Sequence, residues 1–156
     1  MTSLRWPKQE QERTPRGVQL WESAEQGIEP LDIVVPYTTP SLTRMALRRA
    51  QQLASQLPSR IRVLRMQQVP RPLELSHPAV SLDVIREQTR QTARGIAAGE
   101  IRIYLTRDPD ETLLKALRPN SILVIGSKKR WWRTAGERLR NLCEKKGFPV
   151  ALVYST

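Results

Sequence analysis

A basic loop that contains two tryptophans is the segment of this sequence best suited to binding an anion. The basic loop is Lys128-Lys129-Arg130-Trp131-Trp132-Arg133, and it follows an apolar run, Ile122-Leu123-Val124-Ile125, that ends at Gly126-Ser127. Cationic groups attract phosphate, and aromatic rings stack on the bases of single-stranded nucleic acid. The loop therefore predicts a site for an anionic ligand or for nucleic acid. The structural alternative is that the tryptophans pack on the protein while the charged groups are solvated.

The other reactive side chains do not form a catalytic arrangement. His77 lies in a Ser-His-Pro segment without a matching nucleophile, so we interpret it as a loop residue. Cys143 falls on the inner face of a predicted helix, which predicts a buried, unreactive thiol. The acidic residues at 108–111 precede a helix, where capping accounts for them without a metal ion. We therefore predict neither a catalytic nor a metal site.

The charge of the chain is uneven and favours anionic partners. The 156 residues carry a net charge of +11. Residues 1–30 contain four basic and five acidic side chains, whereas the rest of the chain contains 22 basic and 10 acidic ones. A strongly basic domain attracts nucleotides, nucleic acid and other polyanions. No apolar run approaches the roughly 20 residues of a membrane span, and the start is polar, so we expect a cytoplasmic protein without membrane insertion.

Strand and helix patterns alternate from residue 31 to the end of the chain. Continuous apolar runs such as Ile33-Val34-Val35 indicate strands covered on both faces, as in a parallel sheet. Strands are predicted near residues 33–35, 61–69, 101–105, 122–125 and 149–154, with helices near 41–57, 79–98, 109–118 and 134–146. This order predicts an α/β fold with an open five-stranded parallel sheet and helices on both faces. Residues 1–30 are predicted to form a partly disordered extension, and residues 31–156 the domain.

The predicted topology also places a ligand crevice. Tyr37-Thr38-Thr39 follows the first strand of the domain, and Gly126-Ser127 follows the fourth. In an open α/β sheet, ligands bind beyond the carboxyl ends of the strands where the strand order reverses. We therefore expect these two turns to flank any small ligand, with Tyr37 available to stack on a ring.

The order, spacing and polarity of four segments resemble the universal stress protein family over about residues 31–154. These segments are Asp32-Ile33-Val34-Val35-Pro36, Arg107-Asp108-Pro109-Asp110-Glu111, Ile122-Leu123-Val124-Ile125-Gly126-Ser127 and Pro149-Val150-Ala151-Leu152-Val153. The resemblance implies a five-stranded parallel sheet and a homodimer formed through the last strand, here Val150–Tyr154. In some members it also implies ATP bound at the carboxyl ends of the first and fourth strands.

The sequence departs from the pattern of the members that bind ATP. Pro36 stands where those members have an aspartate, and Lys129 stands at the second of their three glycines. Gly126 and Gly136 match the first and third glycines, but Glu137 replaces the hydroxyl residue that follows. The resemblance and the topology together define a candidate nucleotide or anion pocket. Its residues are Pro36, Tyr37, Thr38, Thr39, Gly126, Ser127, Lys128, Lys129, Arg130 and Gly136.

These observations lead to three hypotheses about function. The first is a non-catalytic regulatory or binding domain of the universal stress protein type, with a degenerate nucleotide pocket and no bound cofactor. The second is a basic adaptor that binds nucleic acid or another polyanion through the basic loop and the arginines of the first helix. The third is a weak ATP-hydrolysing enzyme.

Overall fold

The computed structural model describes residues 2–5, 29–96, 98–129 and 134–155 of the chain. These residues form six strands and four helices. The strands are β1 (Thr2–Arg5), β2 (Leu31–Pro36), β3 (Ser59–Gln68), β4 (Glu100–Thr106), β5 (Ser121–Lys128) and β6 (Val150–Ser155). The helices are α1 (Pro40–Ala54), α2 (Leu82–Thr92), α3 (Pro109–Ala116) and α4 (Ala135–Lys145).

The predicted Rossmann-like sheet is confirmed. Five strands run parallel in the order β4-β3-β2-β5-β6. The two central strands, β2 and β5, pair with Ile33 opposite Ile122 and Val34 opposite Leu123. The chain leaves β2 toward β3 on one side and returns to β5 on the other, so the strand order reverses between β2 and β5. We call the end of the sheet where the strands finish the carboxyl edge, and the opposite end the amino edge.

A sixth strand, which the sequence pattern does not predict, extends the sheet. Backbone pairing joins β1 antiparallel to β4, with Thr2 opposite Leu105 and Arg5 opposite Arg102. A strand of four residues is too short to show a sustained hydrophobic period. Trp6 and Trp21 of the predicted extension lie outside the described residues.

Two hydrophobic layers hold the helices against opposite faces of the sheet. On one face, Ala46, Leu47 and Ala50 of α1 pack against Ile33 and Val35. On the other face, helices α3 and α4 pack against β2, β3, β4 and β5, through a cluster made of Val34, Leu64, Tyr104, Leu113, Leu123, Ile125, Leu139 and Cys143. Alternate residues of one strand therefore serve both layers, as expected for a strand buried on both sides.

Among the helix boundaries that differ from the predicted ones, the start of α1 and the end of α2 have a clear physical cause. Helix α1 begins at Pro40 with Thr39 as its N-cap, one residue before the predicted start of the helix. Proline suits the first helical position because its missing N–H would have had no partner there. Helix α2 ends at Thr92 instead of near residue 98, because Gly95 turns the chain with a φ of +81°. The Arg44 guanidinium donates to the carbonyls of Thr92 and Arg94, which satisfies this helix end.

A buried ion pair lies at the amino edge of the sheet. Arg62 of β3 donates two hydrogen bonds, of 2.8 and 2.7 Å, to the carboxylate of Asp32 on β2, and both side chains are 3% exposed. The same guanidinium donates to the Ala116 carbonyl, and the Ser121 hydroxyl donates to Asp32. Burial acts to raise the pKa of Asp32, but the hydrogen bonds and charges of its partners outweigh it and lower the pKa below 3.8.

Candidate functional site

The two predicted turns lie at the carboxyl edge, beside the reversal of strand order. Residues 37–39 connect β2 to α1, and β5 continues through Gly126 and Ser127 to Lys128. Pro36 and Ser127 are buried, whereas Lys128 and Lys129 are exposed. The contacts that these residues make determine how much of the space between the two turns is open to a ligand.

The first turn of α1 lies directly against Gly126. A Cβ atom added to Gly126 would be 2.3 Å from the Leu42 carbonyl oxygen and 3.1 Å from the Leu42 Cβ. Real Cβ atoms do not approach backbone oxygens this closely, so a glycine is required for α1 to sit on the strand. The glycine that matches the start of the ATP-binding pattern therefore has a packing role in this chain.

The N-terminus of α4 is closed by its own side chains. Thr134 accepts a hydrogen bond from the Glu137 N–H, and Glu137 accepts one of 3.1 Å from the Thr134 N–H, which forms a capping box. The Thr134 hydroxyl also lies 2.6 Å from the Ser127 hydroxyl. A phosphate bound at this helix end would compete with the Glu137 carboxylate for the Thr134 N–H and with the Thr134 hydroxyl for the Glu137 N–H. Glu137 therefore complements the helix dipole, as its position in the sequence indicates.

Gly136 is also explained by packing. A Cβ atom at this position would lie 2.6 Å from the Ser127 Cβ and 2.8 Å from the Ser127 hydroxyl oxygen. The missing side chain lets α4 approach the end of β5, which is the helix-packing role of a glycine in such a turn. Both glycines that match the ATP-binding pattern thus have structural functions that require no ligand.

Tyr37 is held by residues on the β3 side of β2. The Arg65 guanidinium lies 4.2 Å from the centroid of the Tyr37 ring, and the Tyr37 hydroxyl is 3.5 Å from the Thr92 hydroxyl. Burial lowers the pKa of Arg65, and the interaction with Tyr37 partly offsets that effect. This cation–π contact covers one face of the ring. Stacking of a ligand on Tyr37 is therefore restricted to the other face.

Thr38 places an unpaired hydroxyl in the turn. Its Oγ1 is buried and is the single buried side-chain nitrogen or oxygen, among the described residues, without a hydrogen-bond partner. The Thr38 N–H donates to the Thr43 hydroxyl at 2.9 Å, and Thr39 caps α1 by accepting from the Leu42 N–H. An unpaired buried hydroxyl is costly, and such groups in native proteins call for an explanation. Thr38 is thus the residue of this turn whose side chain makes no hydrogen bond, and its hydroxyl is buried beneath the surface of the crevice.

The basic loop is described only at its start. Lys128 and Lys129 are exposed and have no acidic partner among the described residues. Arg130, Trp131, Trp132 and Arg133 lie outside the described residues, so the predicted role of Arg130 in the pocket stays a prediction.

His77, Cys143 and Asp108 lie in the kinds of position that the sequence predicts for them. His77 is in an exposed loop, with its Nδ1 2.9 Å from the Ser76 hydroxyl. Cys143 is fully buried, and burial together with the nearby charges of Asp110 and Glu144 raises its pKa to about 11. Asp108 caps α3 by accepting from the Glu111 N–H. No group of three or more potential metal ligands occurs in the described part of the chain.

The strongest polar cluster lies at the amino edge and was not predicted. It combines the Asp32–Arg62 ion pair with Arg60, Glu100, Arg102 and Arg118 around a cavity of about 230 Å³. The alternation of Arg60 and Arg62 with the apolar residues Ile61 and Val63 was the available signal, because it places two cations on the same side of one strand.

Comparison with known proteins adds no identification. No protein-family model matches the chain, and no curated protein sequence matches it. Within the described residues, every helix is too short or too polar to span a membrane. The fold and the contacts described above therefore carry the functional argument.

Proposed function

We propose that this chain is a non-catalytic regulatory or binding domain of the universal stress protein type, with a degenerate nucleotide pocket. The strand order of the five parallel strands supports the resemblance that the sequence segments indicate. The contact that carries the proposal is the one between Leu42 and Gly126, because α1 occupies the space next to the first glycine of the ATP-binding pattern. The capping box of α4 and the lysine at position 129 reduce the capacity of the same edge for a triphosphate.

A titration with ATP tests the state of the pocket. We expect ATP to bind more weakly than about 1 mM, and we expect no release of ADP above the rate in buffer. The measurement is equilibrium dialysis with labelled ATP, followed by chromatography of the nucleotide. One equivalent of ATP bound at micromolar concentration would show that the pocket is functional, and hydrolysis would contradict the non-catalytic assignment.

The same dialysis with a labelled single-stranded oligonucleotide tests the polyanion-binding adaptor. The exposure of Lys128 and Lys129 directly after a buried strand favours this second function. Binding that weakens steeply with salt and is reduced in the double variant Lys128→Gln/Lys129→Gln would support it. The matched control is Lys145→Gln/Lys146→Gln, which removes two exposed lysines at the far end of α4. Equal loss in both variants would indicate attraction by net charge alone.

We also propose that the chain forms a homodimer through β6. This strand is an edge of the described sheet, and none of its six residues is fully buried although Val150, Ala151, Leu152 and Val153 are apolar. An apolar edge strand is a template for pairing with another chain. A second copy supplies an identical strand, so a two-fold axis beside β6 would cover both edges at once.

Replacing Leu152 by proline is expected to convert the dimer into monomers. The Leu123 N–H donates to the Pro149 carbonyl, and the alternation of a parallel ladder then directs the N–H of Leu152 away from β5. Proline removes that outward donor, whereas the control Leu152→Ala removes a similar apolar contact and keeps it. Light scattering after size-exclusion chromatography should give twice 17.9 kDa for the wild type and the alanine variant. A monomeric wild type would contradict the proposed assembly.

A further inference from the structure

The cavity at the amino edge has the composition of an anion site. It is about 230 Å³ in volume, and four of its lining residues are Arg60, Arg62, Arg102 and Arg118, against a single acidic one, Glu100. Its walls come from the start of β3, the start of β4 and the segment that follows α3. These elements stand at the end of the sheet opposite the predicted nucleotide crevice, so the cavity is a separate site.

Two of the four arginines are occupied by protein partners. Arg62 donates hydrogen bonds from Nε and Nη2 to Asp32 and to the Ala116 carbonyl, and Arg102 donates a hydrogen bond to Glu100. Burial acts to lower the pKa of Arg102, but its bonds and charge interactions with Tyr104 and Glu100 outweigh burial and raise that pKa. These two guanidinium groups are fixed in the wall, and their charges are balanced by the carboxylates that they contact.

The other two arginines keep donors available. Arg118 is 46% exposed at its side chain, and its Nη1 is 3.9 Å from the Asp32 carboxylate, which is too long for a hydrogen bond. Arg60 is partly exposed and makes no side-chain hydrogen bond or ion pair among the described residues. Asp32 is already neutralised by Arg62, and Glu100 by Arg102, so Arg60 and Arg118 leave an excess of positive charge at the cavity.

We propose that this cavity binds the phosphate group of a small molecule, held by Arg60 and Arg118. Guanidinium groups donate pairs of parallel hydrogen bonds that match the geometry of phosphate oxygens. A volume of about 230 Å³ is large enough for a phosphate group with several water molecules, but too small for a segment of nucleic acid or polypeptide. Free inorganic phosphate and the phosphate of a small ester share this chemistry.

Isothermal titration of the full chain with inorganic phosphate and with glycerol 3-phosphate tests the proposal. Saturable binding of either is expected, and whichever binds more tightly identifies free phosphate or an ester as the ligand. Arg60→Gln and Arg118→Gln are each expected to raise the dissociation constant at least ten-fold, because each removes a charge-assisted pair. The matched control is Arg48→Gln, an exposed arginine on α1 that lies outside the cavity and has no partner among the described residues. It should bind like the wild type.

Thermal unfolding with and without phosphate provides the second measurement. Bound phosphate should raise the midpoint of the wild type more than sodium chloride at equal ionic strength, and neither arginine variant should show this difference. Circular dichroism without phosphate establishes whether each variant is folded. If Arg118→Gln is not folded, the comparison with the wild type is made with Arg60→Gln. An equal effect of chloride, or a wild-type dissociation constant in a folded cavity variant, would overturn the proposal.

Discussion

Replacing Asp32 by alanine is expected to lower the free energy of unfolding by about 3–5 kcal/mol at pH 7. The substitution removes the carboxylate that accepts both hydrogen bonds from Arg62 and leaves that guanidinium buried without a counter-charge. It also removes the acceptor of the Ser121 hydroxyl. Urea unfolding followed by circular dichroism measures the change. The control is Asp83→Ala, which removes an exposed carboxylate 3.7 Å from Arg86 and should cost less than about 0.5 kcal/mol.

A double variant separates loss of the charge pair from loss of packing. Asp32→Leu/Arg62→Met replaces both charges with apolar side chains, and it is expected to recover most of the stability lost in Asp32→Ala. Such recovery would show that the uncompensated guanidinium is the source of the loss. If the free energy of unfolding of Asp32→Ala lies within about 1 kcal/mol of the wild-type value, Arg62 has found another partner or reached water.

The Asp32 carboxylate makes the free energy of unfolding depend on pH in a defined direction. The pKa of Asp32 is lower in the folded protein than in the unfolded chain, so the unfolded state binds the proton first as the pH falls. The contribution of Asp32 is therefore complete above about pH 4 and is lost as the pH falls through the lowered, folded-state pKa. The difference between wild type and Asp32→Ala should be constant at neutral pH and shrink in that acidic range.

Replacing Gly126 by alanine is expected to destabilise the protein by at least about 3 kcal/mol. The new methyl group would stand 2.3 Å from the Leu42 carbonyl oxygen and 2.8 Å from its carbon, which belong to the backbone of α1. A clash with a flexible side chain could be removed by a change of rotamer. This clash is with helix backbone, so removing it requires α1 to move away from the sheet. Urea unfolding of Gly126→Ala against the wild type measures the effect.

Gly99→Ala is the matched control for this substitution. A Cβ atom at Gly99 would lie 3.6 Å from the Ile61 carbonyl oxygen, which is an ordinary contact. Alanine restricts the unfolded chain more than glycine does, so this variant should be neutral or up to about 1 kcal/mol more stable. Equal stability of Gly126→Ala and the wild type would show that α1 does not press on β5 and would reopen the crevice to a ligand.

The central strands and the helix faces could be predicted because the sequence patterns that identify them lie within single short segments. The apolar runs at residues 33–35 and 122–125 identify strands buried on both faces, and the alternation of strands and helices identifies the parallel order. The helix predicted near residues 41–57 forms, with Ala46 and Ala50 buried on its inner face. Leu57 lies beyond the end of this helix and is 54% exposed.

The contacts that determine whether the candidate site is open to a ligand join residues far apart in the sequence, so local sequence patterns do not predict them. The pairing of Asp32 with Arg62 depends on the register of two strands, and the approach of Leu42 to Gly126 depends on where a helix meets a distant strand. Tyr37 was expected to be free to stack, but the position of Arg65 over its ring follows from the neighbouring strand. The sequence pattern therefore placed the two turns at the same edge of the sheet, whereas tertiary contacts determine how much space lies between them.

Strand β1 has a consequence for how copies of this chain can assemble. By pairing antiparallel with β4 it becomes one edge of the described sheet, and β6 is the other edge. The edge at β1 is four residues long, whereas the edge at β6 is six residues long. Because short edge strands offer few backbone groups for pairing, β1 replaces the longer edge that β4 would present with one less suited to sheet-to-sheet contact between copies.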